Sequence, residues 1–271
     1  MPSSNPAFGR GFATAGNGSQ YPGWGAQPQG YGAPAQHDPY AAPSPYAATT
    51  TRYMTMDDVV TKTGVTFLVT VLAAAGAWAL PGTTGLGLAI PALLVGLVLG
   101  LVISFKQIAN PAATLAYAAV EGIFLGAISE AFNNIPGFEG IVMQAVIGTF
   151  GVFAGMLVVY KTGAIRVTPK FTRWMVGAMV GVLVLMLANI VAGFFIPGGF
   201  GLRDGGPLAI LFSLVVIGVA AFSLLLDFDM ADEAIRRGAP AKFAWYIAFG
   251  LLVTIVWLYL EILRLLSYFR E

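Results

Sequence analysis

Seven apolar runs, separated by turn formers, dominate the chain from residue 54 onward. They cover residues 63–80, 86–105, 111–132, 141–160, 174–196, 208–226 and 243–269. Each is close to the length of about 20 residues that an α-helix needs to cross a hydrocarbon core of roughly 30 Å. Between them stand Pro81-Gly82, Asn110-Pro111, Asn133-Asn134-Ile135-Pro136-Gly137, Pro197-Gly198-Gly199 and Gly205-Gly206-Pro207, all of which interrupt helices. The pattern predicts an all-α polytopic membrane protein, a bundle of seven transmembrane helices over residues 54–271. Glycines inside the runs, such as Gly148, Gly151 and Gly155, are expected to serve close helix packing, because small residues let backbones approach in lipid.

Residues 1–53 are a different material, rich in Gly, Pro, Ala, Ser, Gln and Tyr. Such a segment lacks the apolar surface to offset its chain entropy and is expected to be a disordered tail. The first apolar run begins near Thr63, so membrane insertion is expected to rely on the first transmembrane helix itself.

Composition narrows the function classes. Of 271 residues, 57% are hydrophobic and 10% charged, and the mean hydropathy is +0.78. Soluble domains carry about 25% charged residues, which excludes an ordinary globular protein. There is no cysteine, and the one histidine, His37, lies in the tail. A thiolate site, a cysteine nucleophile, a histidine-based metal site and a Ser-His-Asp triad are thereby excluded from the membrane. No metal centre, bound cofactor, enzymatic activity or nucleic-acid partner is expected; the expected partner is the lipid bilayer.

The basic residues give a direction. The N-terminal segment and the second, fourth and sixth loops hold Arg10, Arg52, Lys62, Lys106, Lys161, Arg166, Lys170, Arg173, Arg236, Arg237 and Lys242. The opposite side holds Arg203 and Arg270, with Arg264 inside the last run. A cytoplasmic N-terminus and an outward C-terminus in a bacterial plasma (inner) membrane are expected, provided that the seventh run spans.

Ionisable groups at membrane depth are costly and mark function by default. Glu121 sits in the middle of the third run without a basic residue within four positions. Glu130 lies at that run's end, Asp227 and Asp229 close the sixth, and Glu261 lies well inside the seventh. Asp227 and Asp229 are about 200° apart on a helix, so at most one faces the bundle interior squarely. Glu261 and Arg264, three residues apart, share a face and can pair. Carboxylates on three helices suggest a polar centre for a cation or proton pathway, since oxygen ligands suit hard cations such as Ca²⁺.

These residues resemble the transmembrane Bax-inhibitor-motif family, in its bacterial, long-tailed branch. The resemblance rests on Glu121-Gly122-Ile123-Phe124-Leu125-Gly126-Ala127-Ile128-Ser129, the acidic end of the sixth run, Leu258-Tyr259-Leu260-Glu261-Ile262, and Met56-Asp57-Asp58-Val59-Val60-Thr61-Lys62. It implies a bundle with the last helix central and a pH-sensitive calcium leak gated by a carboxylate pair, calcium being cargo rather than cofactor. The carry-over lands on Asp227, or Asp229, paired with Glu261, and Glu121 would line or brace the polar centre. The family can latch its acidic pair with a second-helix arginine. The second run has none, which leaves Lys106 or Arg264 as possible charge partners. The rival expectation is a non-conducting regulator that binds other membrane proteins, such as a protease or stress-response modulator, with the tail as a docking handle.

Overall fold

The computed structural model describes residues 52–80 and 82–270. Most of the expected tail, with His37, lies outside the described residues. Seven helices follow in order: α1 (Met56–Trp78), α2 (Gly82–Lys106), α3 (Pro111–Asn133), α4 (Ile141–Thr162), α5 (Pro169–Gly193), α6 (Pro207–Arg236) and α7 (Phe243–Tyr268). All seven are long and apolar enough to cross a membrane. Among the described residues the one β feature is an isolated bridge between Tyr53 and Pro240.

Local chemistry sets the helix starts. Thr55 caps α1 in a capping box with Asp58, which satisfies two orphan donors reciprocally. Asn110 and Thr168 cap α3 and α5 through their side chains, and each is followed by a proline at the first helical position. Gly163 ends α4 in the left-handed conformation that a side chain disfavours. Inside the bundle, hydroxyls turn back onto their own helices: Thr66 donates to the Lys62 carbonyl, Thr70 to Thr66 and Thr149 to Ala145. Without water in the hydrocarbon, each polar group needs such an internal partner.

Helix α7 is the most buried of the seven, and it packs against α1, α3, α4 and α6. The last helix is therefore central. Helix α5 touches chiefly α6, and its Leu183 and Leu187 are exposed as a lipid-facing surface requires. Helices α1 and α3 run parallel at very close range. The backbone carbonyls of Thr70 and Ala74 lie where side chains on Gly122 and Gly126 would stand. That is the small-xxx-small approach by which helices associate in lipid. On helix α2, Gly96 and Gly100 instead leave room for the side chains of Glu121 and Tyr117 of α3.

The direction of each helix is fixed by its pairings. Thr114 reaches the Trp245 carbonyl and Ser129 reaches Tyr259, so α3 and α7 are parallel. The side on which α1, α3, α5 and α7 begin is called the near side below, and the opposite one the far side. At the near side, Met54 donates to Ala239 and Ala241 donates to Arg52, each at 2.8 Å. Lys62, which pairs with Asp58, also donates to the Ala241 carbonyl. The segment entering α1 is thus stitched to the loop between α6 and α7.

One boundary differs from the sequence expectation in a way that matters. The sixth apolar run ends at 226, but α6 continues to Arg236. Arg236 pairs with Asp232 and Glu233, and Arg237 with Glu233, at three- and four-residue spacing. Such pairs support a helix after its apolar stretch has stopped. Asp227 therefore lies well inside α6 and does not close it.

Candidate functional site

The polar residues of the bundle occupy distinct levels. Asp227 of α6 lies at the level of Thr254, near the middle of α7. The Thr254 hydroxyl of α7 donates to its Oδ2 at 2.7 Å. Two cavities meet at this carboxylate. One, of about 190 Å³, is bounded by Ser104 of α2, Tyr246 and Gly250. The other, of about 690 Å³, extends past Asp229, Glu233 and Arg237. Asp227 and Thr254 line both. Gly250 stands beside the carboxylate, where a side-chain carbon would come within 3.8 Å of Oδ1.

Glu121 lies at the middle of α3 and is 9% exposed. Its carboxylate rests over Gly96 of α2, where a Cβ would meet Oε2 at 3.0 Å. Tyr117, one turn earlier, shares its face of α3 and is likewise buried. The register that joins Ser129 to Tyr259 puts Glu121 close to the level of Thr254 along α7. It faces α2 there, and no hydrogen bond links it to Asp227.

At the far side Glu261 is 3% exposed. Its Oε1 accepts from Arg203 at 3.1 Å and from Arg264 at 3.2 Å. Arg203 comes from the loop between α5 and α6 and reaches inward across the mouth of the bundle. The other carboxylate oxygen of Glu261 has no hydrogen-bond partner among the described residues. Burying a carboxylate is costly unless it is paired, and the two guanidinium groups neutralise it.

Between these levels the packing is largely apolar, apart from Ser223 and the Ser129–Tyr259 pair. Ile255, Val256 and Leu258 of α7, with Leu224 and Leu225 of α6, are all buried. Thr254 and Glu261 are seven residues apart, about 10 Å along a helix axis at 1.5 Å per residue.

This separation corrects the pairing of Asp227 with Glu261. Antiparallel packing of α6 on α7 brings Thr254, not Glu261, opposite Asp227. Glu261 is two turns further on, with its own arginine partners. Asp227 is the sixth-helix carboxylate that faces α7. Asp229 points elsewhere on the helix, as its angular offset requires, and lines only the larger cavity. Lys106 forms no ion pair among the described residues, so it latches neither carboxylate; Arg264 pairs with Glu261 alone. Glu130, at the far end of α3, accepts from Asn134 at 2.7 Å and belongs to that helix end.

Three elements of the arrangement were not anticipated from sequence. Thr254 is an uncharged residue in an apolar run and gives no signal. Arg203 reads as an ordinary loop charge, although it is one of only two basic residues in the far-side loops and termini. The glycines of α2 show their role only when the helix opposite is known.

A bundle of seven apolar helices that turns its carboxylates inward defines a polytopic membrane protein. The chain belongs to the Bax inhibitor 1 like family, whose model matches residues 5–271. A search of curated proteins finds no match to the chain.

Proposed function

We propose that this protein is a cation leak pathway, conducting calcium passively, with Asp227 as the carboxylate that attracts the ion from the near side. The observation that carries the reading is Asp227 itself, a carboxylate held by Thr254 deep in α6 and lining two cavities at once. Asp229 lies along the larger cavity and adds a second carboxylate toward its near-side end, where Glu233 is paired with Arg236 and Arg237. Hard cations favour such oxygen ligands. The family's calcium-leak reading points the same way, and among the described residues no basic side chain lines the smaller cavity beside Asp227.

In this reading the arrangement is closed. The apolar layer of Leu224, Leu225, Ile255 and Leu258 bars the path above Asp227, and Arg203, bound to Glu261, covers the far end. The two carboxylates act at separate levels and do not share a proton. Conduction depends on pH because protonation of Asp227 removes the negative charge that draws in the cation. Glu121 braces α3 against α2 beside this level. The orientation that fits is a cytoplasmic near side in a plasma membrane, following the basic residues. The chemistry is transport, with no catalytic step and no bound cofactor.

Purified protein in calcium-free liposomes tests this. Wild type should admit Ca²⁺ down its gradient, and Asp227→Asn should reduce the flux and flatten its pH dependence. Flux through Asp227→Asn equal to wild type at every pH would remove Asp227 from the pathway.

A second reading, a non-conducting regulator that binds other membrane proteins, draws on the stitch between Arg52–Met54 and Ala239–Ala241. It ties the segment that follows the tail to the loop joining α6 and α7. Deleting residues 1–50 separates the two: a leak persists without them, and a regulator that docks through them loses its effect.

A further inference from the structure

On the far half of the bundle α1 and α4 stand apart, leaving a groove of about 460 Å³ between them. Leu125 and Gly126 of α3 and Leu252 and Ile255 of α7 form its floor. Phe67 and Phe150 close its inner end, their ring centroids 6.4 Å apart. Phe67 is at the middle of α1 and Trp78 is its last residue. The groove therefore runs along the helix from Phe67 to Trp78, eleven rises or about 16 Å at 1.5 Å per residue. One leaflet's half of a hydrocarbon core of roughly 30 Å is about 15 Å.

The lips of this groove are continuous with the surface that the bilayer must cover. Val71 is 56% exposed and Phe150 50%, and beside them Leu68, Leu72 and Ile147 are equally open. The lining is apolar with one exception on the floor. There the hydroxyls of Ser129 and Tyr259 are 2.6 Å apart. One of their two protons makes that bond, and the other has no acceptor among the described residues. The hydroxyls of Thr70 and Thr149, also in the wall, are already turned onto helix carbonyls. Ser129 is seven residues past the middle of α3, so it lies about 10 Å from the bilayer midplane, within a helical turn or so of the hydrocarbon edge.

We propose that this groove is a binding site for one acyl chain of a phospholipid from the far leaflet, whose ester carbonyl accepts the spare proton of the Ser129–Tyr259 pair. Length decides for an acyl chain: the groove begins at the midplane and ends at the interface. An apolar groove of this size left empty would forfeit dispersion contacts along its whole lining. Trp78, at the mouth, belongs to the residue type that favours the headgroup level. The site is independent of Asp227 and of conduction.

The test uses the full chain in nanodiscs of phosphatidylcholine and phosphatidylglycerol, doped with a phospholipid that carries a diazirine midway along one acyl chain. After irradiation, labelled residues are mapped by mass spectrometry. Groove residues Val71, Val146 and Ile255 should be labelled about tenfold more than Leu183 and Leu187 on the open face of α5, the ratio that corresponds to about 1.4 kcal/mol of preference. Val146→Trp, which fills the groove from α4, should remove the excess and leave α5 labelling unchanged. Equal labelling of groove and α5 in the wild type overturns the proposal without recourse to the variant. Cross-links between two copies through α1 and α4, in place of lipid adducts, overturn it as well.

Discussion

Gly126→Ala puts the packing of α1 on α3 to a sharp test. A Cβ built on Gly126 would lie 2.2 Å from the Ala74 carbonyl oxygen and 2.9 Å from both its carbonyl carbon and its Cα. Ordinary contact begins at 3.4 Å. The obstacle is backbone, so no rotamer change relieves it, and the helices must part by about 1 Å locally. Overpacking of a well-filled interface costs about 1–3 kcal/mol, and for a chain of this size each kcal/mol lowers the melting temperature by roughly 2–4 °C. The expected fall is therefore roughly 2–12 °C for purified protein in detergent, followed by intrinsic fluorescence. Gly76→Ala on α1 is the control, because nothing lies within 4 Å of a Cβ there; it should melt with or slightly above wild type, since Ala is the better helix former. If Gly126→Ala and Gly76→Ala melt together, the close approach of α1 and α3 is not what holds these helices.

Other outcomes follow from the polar levels. Thr254→Ala withdraws the donor from the Asp227 carboxylate and should cost about 1.5–3 kcal/mol, the range for a hydrogen bond to a charged group; Thr254→Ser should restore it, and detergent melting curves read both. Arg203→Ala leaves Glu261 with Arg264 alone. Its pair is partly exposed, which places the loss between the values for surface and buried pairs, about 1–3 kcal/mol, and combining it with Glu261→Gln should give less than the sum of the single changes. In the loop between α3 and α4, the amides of its own turn, those of Glu139 and Gly137, hold the exposed Glu139 carboxyl below the ordinary glutamate value of 4.5. A depressed folded-state value means that its contribution is full above the unfolded value and fades as pH falls through the folded one. Glu139→Gln should therefore lose a small part of the acid dependence of the melting temperature and leave the neutral value almost unchanged.

How far the sequence carried depends on the kind of signal. Apolar runs and turn formers are local, and the seven helices were legible to within a few residues at most ends. The end of α6 was not, because its last turns are held by Asp232, Glu233, Arg236 and Arg237 instead of apolar residues. Buried carboxylates were also legible, since a charge in an apolar run is conspicuous wherever it packs. Their partners were not. The register of α6 on α7 decides whether Asp227 meets Thr254 or Glu261, and a hydropathy pattern carries no register. Arg203 reaches Glu261 across fifty-eight positions, a contact made only once the far loop has folded over the mouth. The approach of Gly122 and Gly126 to α1 lay within the motif that carried the family resemblance, and only the backbone of Thr70 and Ala74 shows why glycine is needed there.

The central claim is that Asp227 serves a cation path entered from the near side. The most direct measurement is Ca²⁺ uptake by liposomes loaded with a calcium-sensitive dye, comparing wild type, Asp227→Asn and Glu261→Gln at a series of pH values. The account predicts flux in the wild type that varies with pH, a marked and pH-independent loss in Asp227→Asn, and a retained pH response in Glu261→Gln, because the two carboxylates stand apart. Wild-type liposomes no leakier to Ca²⁺ than protein-free ones, or an Asp227→Asn protein with wild-type flux and pH response, would contradict it.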